Sequence, residues 1–595
     1  MKNKFMIDKS LIQTALGVEK AGMAIRNARL VNVLTEEIYP ADVAIKGQRI
    51  AYVGDISHCT GPETVVIDAK GKYIVPGLID PHIHPEACKV PLTRLAQAML
   101  PRGTTTIFAG LDDYWSLFGI DGVRFALDEA KKTPLRVIYH PYSRVPVTGF
   151  DPASTVAHEF GSEAIKKVLD WPETVGPMDM VIDWILGFDK DMHESMRAVQ
   201  ERGLLVHGHD TFEVGPRMQA FLTTGIRSDH VPFAVEEALQ KLRAGMWVMF
   251  CDSPIARIMP DVIRALTETK ISTRHATFCI DDMDSRDLFD PGHIDHQIRT
   301  AIASGLNPIQ AVQMATLNAA ECHRMDHVIG SIAPGRSADI LVVGDLIRFT
   351  IEMVVSQGEL VVDGGKLLKE LEVPKYPSCF FNTVKLTREV TPDDLVMKTD
   401  GQAKQVKAIA LHIPPYNPMR FKKEVTLKVI NGEVQPDPEN DILYCAMVER
   451  HRRTGNIGLG LINGFNLNGG TIATSVMVPS NNITCLGSNK QDMAFAIKRV
   501  AKMGGGQVAV RDGKVIAEIP LPIGGILADV SSEEMADMER KLTDVVHSWG
   551  CPMPRPFFFL MFLEIVPLPD YALTEYGVAE FKTLKYIDTI TEVIK

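Results

Sequence analysis

The chain has 595 residues, enough for about three to five domains at roughly 100–200 residues each and far beyond a small stapled scaffold. Hydrophobic residues make up 46% and charged residues 23%, which excludes wholesale disorder and a membrane-embedded body. The formal charge of −11, from 63 basic and 74 acidic side chains with no clustered basic stripe, argues against a nucleic-acid partner.

Nine cysteines stand singly, with no Cys-x-x-Cys and an odd total, which predicts reduced thiols and a cytoplasmic setting. The N-terminal MKNKFMIDKS lacks the apolar core of a secretory signal. From Met23 to Val75 alternating β-branched residues, broken at Lys46-Gly47 and Lys70-Gly71, predict a small antiparallel unit. Between Pro76 and Ile329 short apolar runs alternate with helical patterns: TTTIFAG, LRVIYHP, MVIDWIL, GLLVHGHD, WVMFCD, HATFCIDD. That rhythm and length predict an α/β fold, a TIM-like (β/α)8 barrel with its chemistry at the strand C-terminal ends. The strand-like text at Gly330 to Val362 is expected to complete the first β unit, giving residues 1–75 plus 330–380 as a split small β domain around a barrel at 76–329. Residues 385–595 begin afresh as a C-terminal α+β domain with a helix near Ser531 to Trp549. The greasiest run, Phe557 to Leu563, is followed at once by Glu564 and falls far short of the ~20 apolar residues that span a bilayer, so it predicts a buried strand or helix and no membrane partner.

The strongest local feature is VPGLIDPHIHPE, where His82 and His84 share one face of a strand end and can converge on one divalent ion. Taken alone, the pair could equally be two hydrogen-bonded histidines. Further along, His207 and His209 end GLLVHGHD, His230 ends GIRSDH, and Asp281 with Asp282 ends HATFCIDD. Four strand ends in order, each offering His or Asp, are what a barrel needs to assemble a metal site. Cys88 could in principle bind a soft metal, but a buried structural cysteine is the simpler reading. The glycines of GLGLING miss the dinucleotide spacing, and GGG at Gly504 to Gly506 reads as a tight turn.

With PGLIDPHIH and the exit segment MATLNAAECHRMDHVIGSIAPGRSADILVVGDL, the chain resembles the amidohydrolase superfamily. The segments GIRSDH, GHIDHQIRTAI, ERHRRTGNIGLGLINGF, GSNKQDMAFAI, GGGQVAVRDGKV and IPLPIGGILAD narrow the resemblance to the adenine deaminases, with an adenine-deaminase-type C-terminal domain. The resemblance implies one or two divalent ions, manganese first and iron or zinc otherwise. It makes His82, His84, His209 and His230 metal ligands, Asp281 a ligand and proton shuttle, and Asp282 a second catalytic candidate. His207 replaces a usual acidic residue, and His293 would face the pocket or cap a helix.

Several segments depart from the family. Its Glu-Ser-Ser run after the HxH is Pro85-Glu86-Ala87-Cys88 here, and its Asp-Pro-His-Glu run is replaced at Ala109 to Asp113. The bridging glutamate of its Gly-Glu-Met context has no clear counterpart in DMVIDWILGF, where Asp183 is the expected substitute and Glu173 a weaker one. The C-terminal Ser-Val-Ala-His-Asp-Ser-His-Asn becomes Ser475 to Asn482 without histidine. The expected activity is hydrolytic deamination of adenine or a related aminopurine by a metal-activated hydroxide. Ring-opening hydrolysis of an oxidised purine, lactam or cyclic diketone is the alternative, and a non-catalytic metal-binding module a third reading. The expected partners are a small heterocyclic substrate and, by resemblance, further copies of the chain in a homodimer or higher homo-oligomer.

Overall fold

The computed structural model describes residues 7–146, 151–210, 212–254, 256–565 and 570–595. Residues 1–6, at the start of the expected β domain, lie outside it. Among the described residues nine short strands follow one another through the middle of the chain: β1 (Leu78–His84), β2 (Thr104–Ala109), β3 (Arg136–Tyr139), β4 (Met180–Val181), β5 (Gly208–His209), β6 (Ser228–His230), β7 (Trp247–Cys251), β8 (Ala276–Cys279) and β9 (Asp281–Asp282). The runs in β1, β2, β7 and β8 are buried throughout, as parallel strands covered on both faces must be. Parallel pairing joins β3, β2 and β1, then β4 and β5, then β6, β7 and β8. Single parallel bridges, Tyr139 to Thr174 and Val206 to Ile226, lie between these groups. Asp281 and Asp282 pair with Ile83 and His84 of β1. The result is a mixed α/β, TIM-like arrangement whose hydrogen-bonded ladder is interrupted rather than continuous.

The helices between strands follow from sequence pattern. Lys190–Glu201, for instance, is N-capped by the Asp189 carboxylate accepting from the Met192 N–H, and it turns Met192, Met196 and Val199 inward at helical spacing.

Strands on either side of the barrel sequence meet in one seven-stranded sheet, where Tyr73–Pro76 pairs antiparallel with Ile340–Val343. The expectation of a purely antiparallel unit is corrected. Met23–Arg26 runs parallel to Val65–Asp68, because the chain crosses over through the turn at Ser57–Cys59 and joins the far side of the sheet.

The C-terminal part is built on a ten-stranded sheet that includes Gln405–His412 and the final strand Ile590–Ile594. The helix Lys490–Met503 packs against it and ends at Gly504 with φ +79°. A Cβ on the next glycine, Gly505, would stand 2.2 Å from the Gly525 Cα, so the turn needs glycine there. The apolar run near Phe557 forms the buried helix Pro556–Met561. Among the described residues no helix is long and apolar enough to cross a membrane.

Candidate functional site

The ends of β1, β5 and β6 and the segment after β8 bring His82, His84, His209, His230 and Asp281 into one cluster. His82 Nε2 lies 3.4 Å from Asp281 Oδ1, and His84 Nε2 lies 3.6 Å from the same oxygen. His230 Nε2 stands 3.9 Å from that oxygen and 3.2 Å from His209 Nδ1. Asp282 follows directly, with its carboxylate near those of Asp281 and the imidazole of His84. Burial, reinforced by the neighbouring Asp281, raises the Asp282 pKa well above the usual carboxylate range.

The expected acid of the middle strands is not where the sequence reading put it. β4 ends at Val181 and the chain turns into a helix at Ile182, so Asp183 is carried to the surface, where Arg217 Nη2 donates to its Oδ1 at 2.6 Å. Glu173 is likewise engaged elsewhere, by Arg124 at 3.0 Å and Lys131 at 2.7 Å. The carboxylate that enters the cluster is Asp179, immediately before β4. Its Oδ1 is 3.7 Å from His82 Nε2, 3.9 Å from His209 Nδ1 and 3.5 Å from His230 Nε2, and its Oδ2 is 3.5 Å from His84 Nε2. It therefore lies between the two histidine pairs. Asp179 and Asp281 both take left-handed backbone conformations, φ +54° and +67°, a strain found where a site fixes its side chains.

A divalent ion fits this donor set. Nitrogen and oxygen donors 2.0–2.2 Å from one tetrahedral ion lie about 3.3–3.5 Å apart, close to the separations here. Both Asp179 oxygens and His82 Nε2 are buried without a hydrogen-bond partner, a costly state for polar atoms that a cation would relieve.

The surrounding shell orients the ligands. The Asp112 carboxylate pairs with His84 Nδ1 at 2.8 Å, which turns Nε2 toward the cluster. Beside Asp112, Asp113 accepts from Asn481 Nδ2 at 2.7 Å, tying the barrel to the C-terminal part. Behind β5 and β6 the buried Lys241 ammonium contacts Asp210, Asp229 and Glu237 at 2.9, 2.8 and 2.7 Å. Asp210 and Asp229 adjoin His209 and His230, so one cation fastens both ligand-bearing turns. Cys88 is a core residue: its thiol donates to the Met283 carbonyl, and burial pushes its pKa well up.

Two other histidines are resolved. His293 neither faces the cleft nor caps a helix with its side chain. It is buried between Asp80, at 3.2 Å from Nε2, and Thr104, at 2.8 Å from Nδ1. His207 points away from His209 into the barrel, where its Nδ1 meets Ser228 Oγ at 2.7 Å.

The cluster opens into a cleft. Tyr142, Val181, Val231 and Phe233 contribute its walls, while Val478, Phe562 and Ile565 from the C-terminal part form a roof. The buried Arg420 guanidinium donates to the carbonyl oxygens of Phe562, Ile565 and Tyr571, which holds that roof in place. Val478 thus lies directly on the cleft.

Comparison with known proteins agrees with this arrangement. The amidohydrolase family model matches residues 185–361, the stretch that carries His209, His230 and Asp281. The adenine deaminase C-terminal domain model matches residues 419–585, which include the roof. The chain is 40% identical over 585 residues to adenine deaminase 4 of Rhizobium meliloti, covering 98% of this chain and 97% of that protein. The chain belongs to the adenine deaminase family. Two further family members, adenine deaminase 1 of Desulfotalea psychrophila and adenine deaminase 1 of Latilactobacillus sakei, are each 37% identical, over 98% and 100% of both chains respectively. A divalent metal is implied by membership of the adenine deaminase family and accommodated by the donor set above.

Proposed function

We propose that the chain hydrolyses adenine to hypoxanthine and ammonia. The observation that carries this reading is the convergence of four histidines and two aspartates beneath an apolar roof, in a chain 40% identical to an adenine deaminase along nearly its whole length. His82, His84, Asp179 and Asp281 would hold one ion, and His209 and His230 would hold another with Asp179 between the two. A divalent ion held there would supply Lewis acidity, lowering the pKa of water toward about 7.

The protein's own groups supply the rest. Asp281 takes the proton released as water adds to the ring carbon and returns it to the departing amino nitrogen, which must leave as ammonia. Asp282, which lines the same cleft, would hydrogen-bond the ring as the second catalytic group. Val231, Phe233, Val478, Phe562 and Ile565 bury the flat faces of the heterocycle and exclude bulk water. The shared designation of the relatives favours deamination over ring opening.

The reading includes manganese as the working ion, a cytoplasmic setting, which the nine unpaired cysteines support, and a homodimer or larger assembly, which the resemblance supports. The test is to incubate manganese-loaded protein with adenine and follow ammonia and the purine spectrum together. Ammonia release with a shifted but intact ring absorbance is expected. No ammonia above background would overturn the proposal, and loss of ring absorbance would turn it to ring opening.

A further inference from the structure

Below the ligand cluster, inside the barrel, three more histidines come together from distant parts of the chain: His140 just after β3, His207 just before β5, and His323 at the end of the helix Leu317–Cys322. Each is buried. Their ring centroids are 4.7 Å apart for His140 and His207, 5.2 Å for His140 and His323, and 4.5 Å for His207 and His323. One ring nitrogen of each lies within 4.8 Å of the other two.

For His140 and His323 the hydrogen bonds settle which nitrogen is available. His140 Nδ1 lies 2.6 Å from the Gly176 carbonyl and His323 Nδ1 lies 3.2 Å from the Ala319 carbonyl. A carbonyl oxygen only accepts, so both Nδ1 atoms carry the proton, and in the neutral imidazole each Nε2 presents a lone pair. His207 is anchored through Nδ1 as well, by the Ser228 hydroxyl. All three Nε2 atoms are buried and have no hydrogen-bond partner. Unpartnered polar nitrogens in an apolar interior are costly, and the two acceptors with a third ring nitrogen beside them, which accepts once the Ser228 hydroxyl takes the His207 Nδ1 proton, call for a common electrophile. Imidazoles whose far nitrogen is tied to a backbone carbonyl or hydroxyl are the usual form of metal-bound histidine.

We propose that His140, His207 and His323 form a second metal site, separate from the ligand cluster above it, that takes a borderline transition ion of the Zn2+ class through three Nε2 atoms. Neutral nitrogen donors suit zinc and its neighbours and disfavour the oxygen-seeking Mg2+ and Ca2+. Three imidazoles fill three positions of a tetrahedral ion, and binding turns the His207 and His323 rings out of their stacked arrangement, planes 12° apart, and draws the nitrogens to the about 3.3–3.5 Å separation that zinc–nitrogen bonds of 2.0–2.1 Å require. The ring of His82 is 6.4 Å from that of His140, so an ion here would lie directly beneath the upper cluster and brace its floor.

The test uses the full chain with Zn2+ alone as probe. Crystals grown with Zn2+ and measured on both sides of the zinc absorption edge should show an anomalous peak at about 2.0–2.1 Å from Nε2 of His140, His207 and His323, distinct from any peak at His82 and His84. His323→Phe, which keeps a ring packed on Phe108, should lose about one zinc equivalent per chain by elemental analysis and lose that lower peak alone. An empty or water-filled centre in zinc-grown crystals of the parent overturns the site, whether or not the upper cluster is loaded. Unchanged zinc content in a folded His323→Phe does the same. Failure of adenine deamination would leave the lower peak in place, so the two proposals stand or fall separately.

Discussion

His84 Nδ1 and Asp112 Oδ1 are 2.8 Å apart, and that single contact decides which nitrogen of His84 faces Asp179 and Asp281. Outer partners of metal-bound histidine typically govern affinity by about 10–100-fold. Asp112→Ala is therefore expected to weaken divalent-ion binding by about that factor, read by competition against a metallochromic chelator. Parental affinity in the variant would show that the contact does not orient the ring.

Asp179 and Asp183 provide a paired comparison within four residues. Asp179→Ala removes the carboxylate between both histidine pairs and should cost more in metal affinity than the roughly 10–100-fold of an outer partner. Asp183→Ala removes only a surface pair with Arg217 and should change stability by no more than about 1 kcal/mol, leaving metal content at the parental level. The reverse ranking in metal analysis would restore Asp183 as the bridging group.

This pair also marks the limit of what the sequence discloses. His82 and His84 are legible because a two-residue period puts both on one strand face, and His209, His230 and Asp281 because each closes an apolar run. Asp179 was hidden because β4 has only two residues, too few for periodicity, and because MVIDWIL reads as a strand continuing through Asp183 when the chain in fact turns helical at Ile182. A usable signal existed: Asp179 precedes Met180 as the family glutamate precedes its methionine. Val478 could be placed near the site by resemblance, whereas Phe562 and Ile565 reach it only through tertiary packing that no local pattern encodes.

Lys241 is buried against three carboxylates, and the ammonium holds Asp229 ionised against its burial. Lys241→Met leaves those acids without a counter-charge. Breaking such a buried arrangement costs about 3–5 kcal/mol, expected as a lowered urea midpoint, with looser metal binding because the turns bearing His209 and His230 lose their shared anchor. A midpoint within error of the parent would show that the acids pass the burial in neutral form.

Glu564 is fully buried, with the Ser480 hydroxyl donating to it, and burial reinforced by Glu575 pushes its pKa up to about 8 from 4.5. The folded state thus holds this proton more tightly than the unfolded chain does. Its contribution to stability is fully present below the ordinary carboxylate range and is lost as pH rises through about 8. Glu564→Gln cannot ionise, so the fall in Tm across that window should be shallower than in the parent. Parallel Tm profiles for the two proteins would refute the assignment.

The ligands come from the barrel and the ceiling from the C-terminal domain, where Arg420 clasps three carbonyl oxygens around Phe562, Ile565 and Tyr571. Part of the surface that meets the cleft's contents is consequently written in a different part of the gene from the histidine and aspartate cluster. Remodelling that ceiling is expected to change which molecules the cleft admits while the cluster beneath keeps its geometry, so one scaffold can be retuned from outside the barrel.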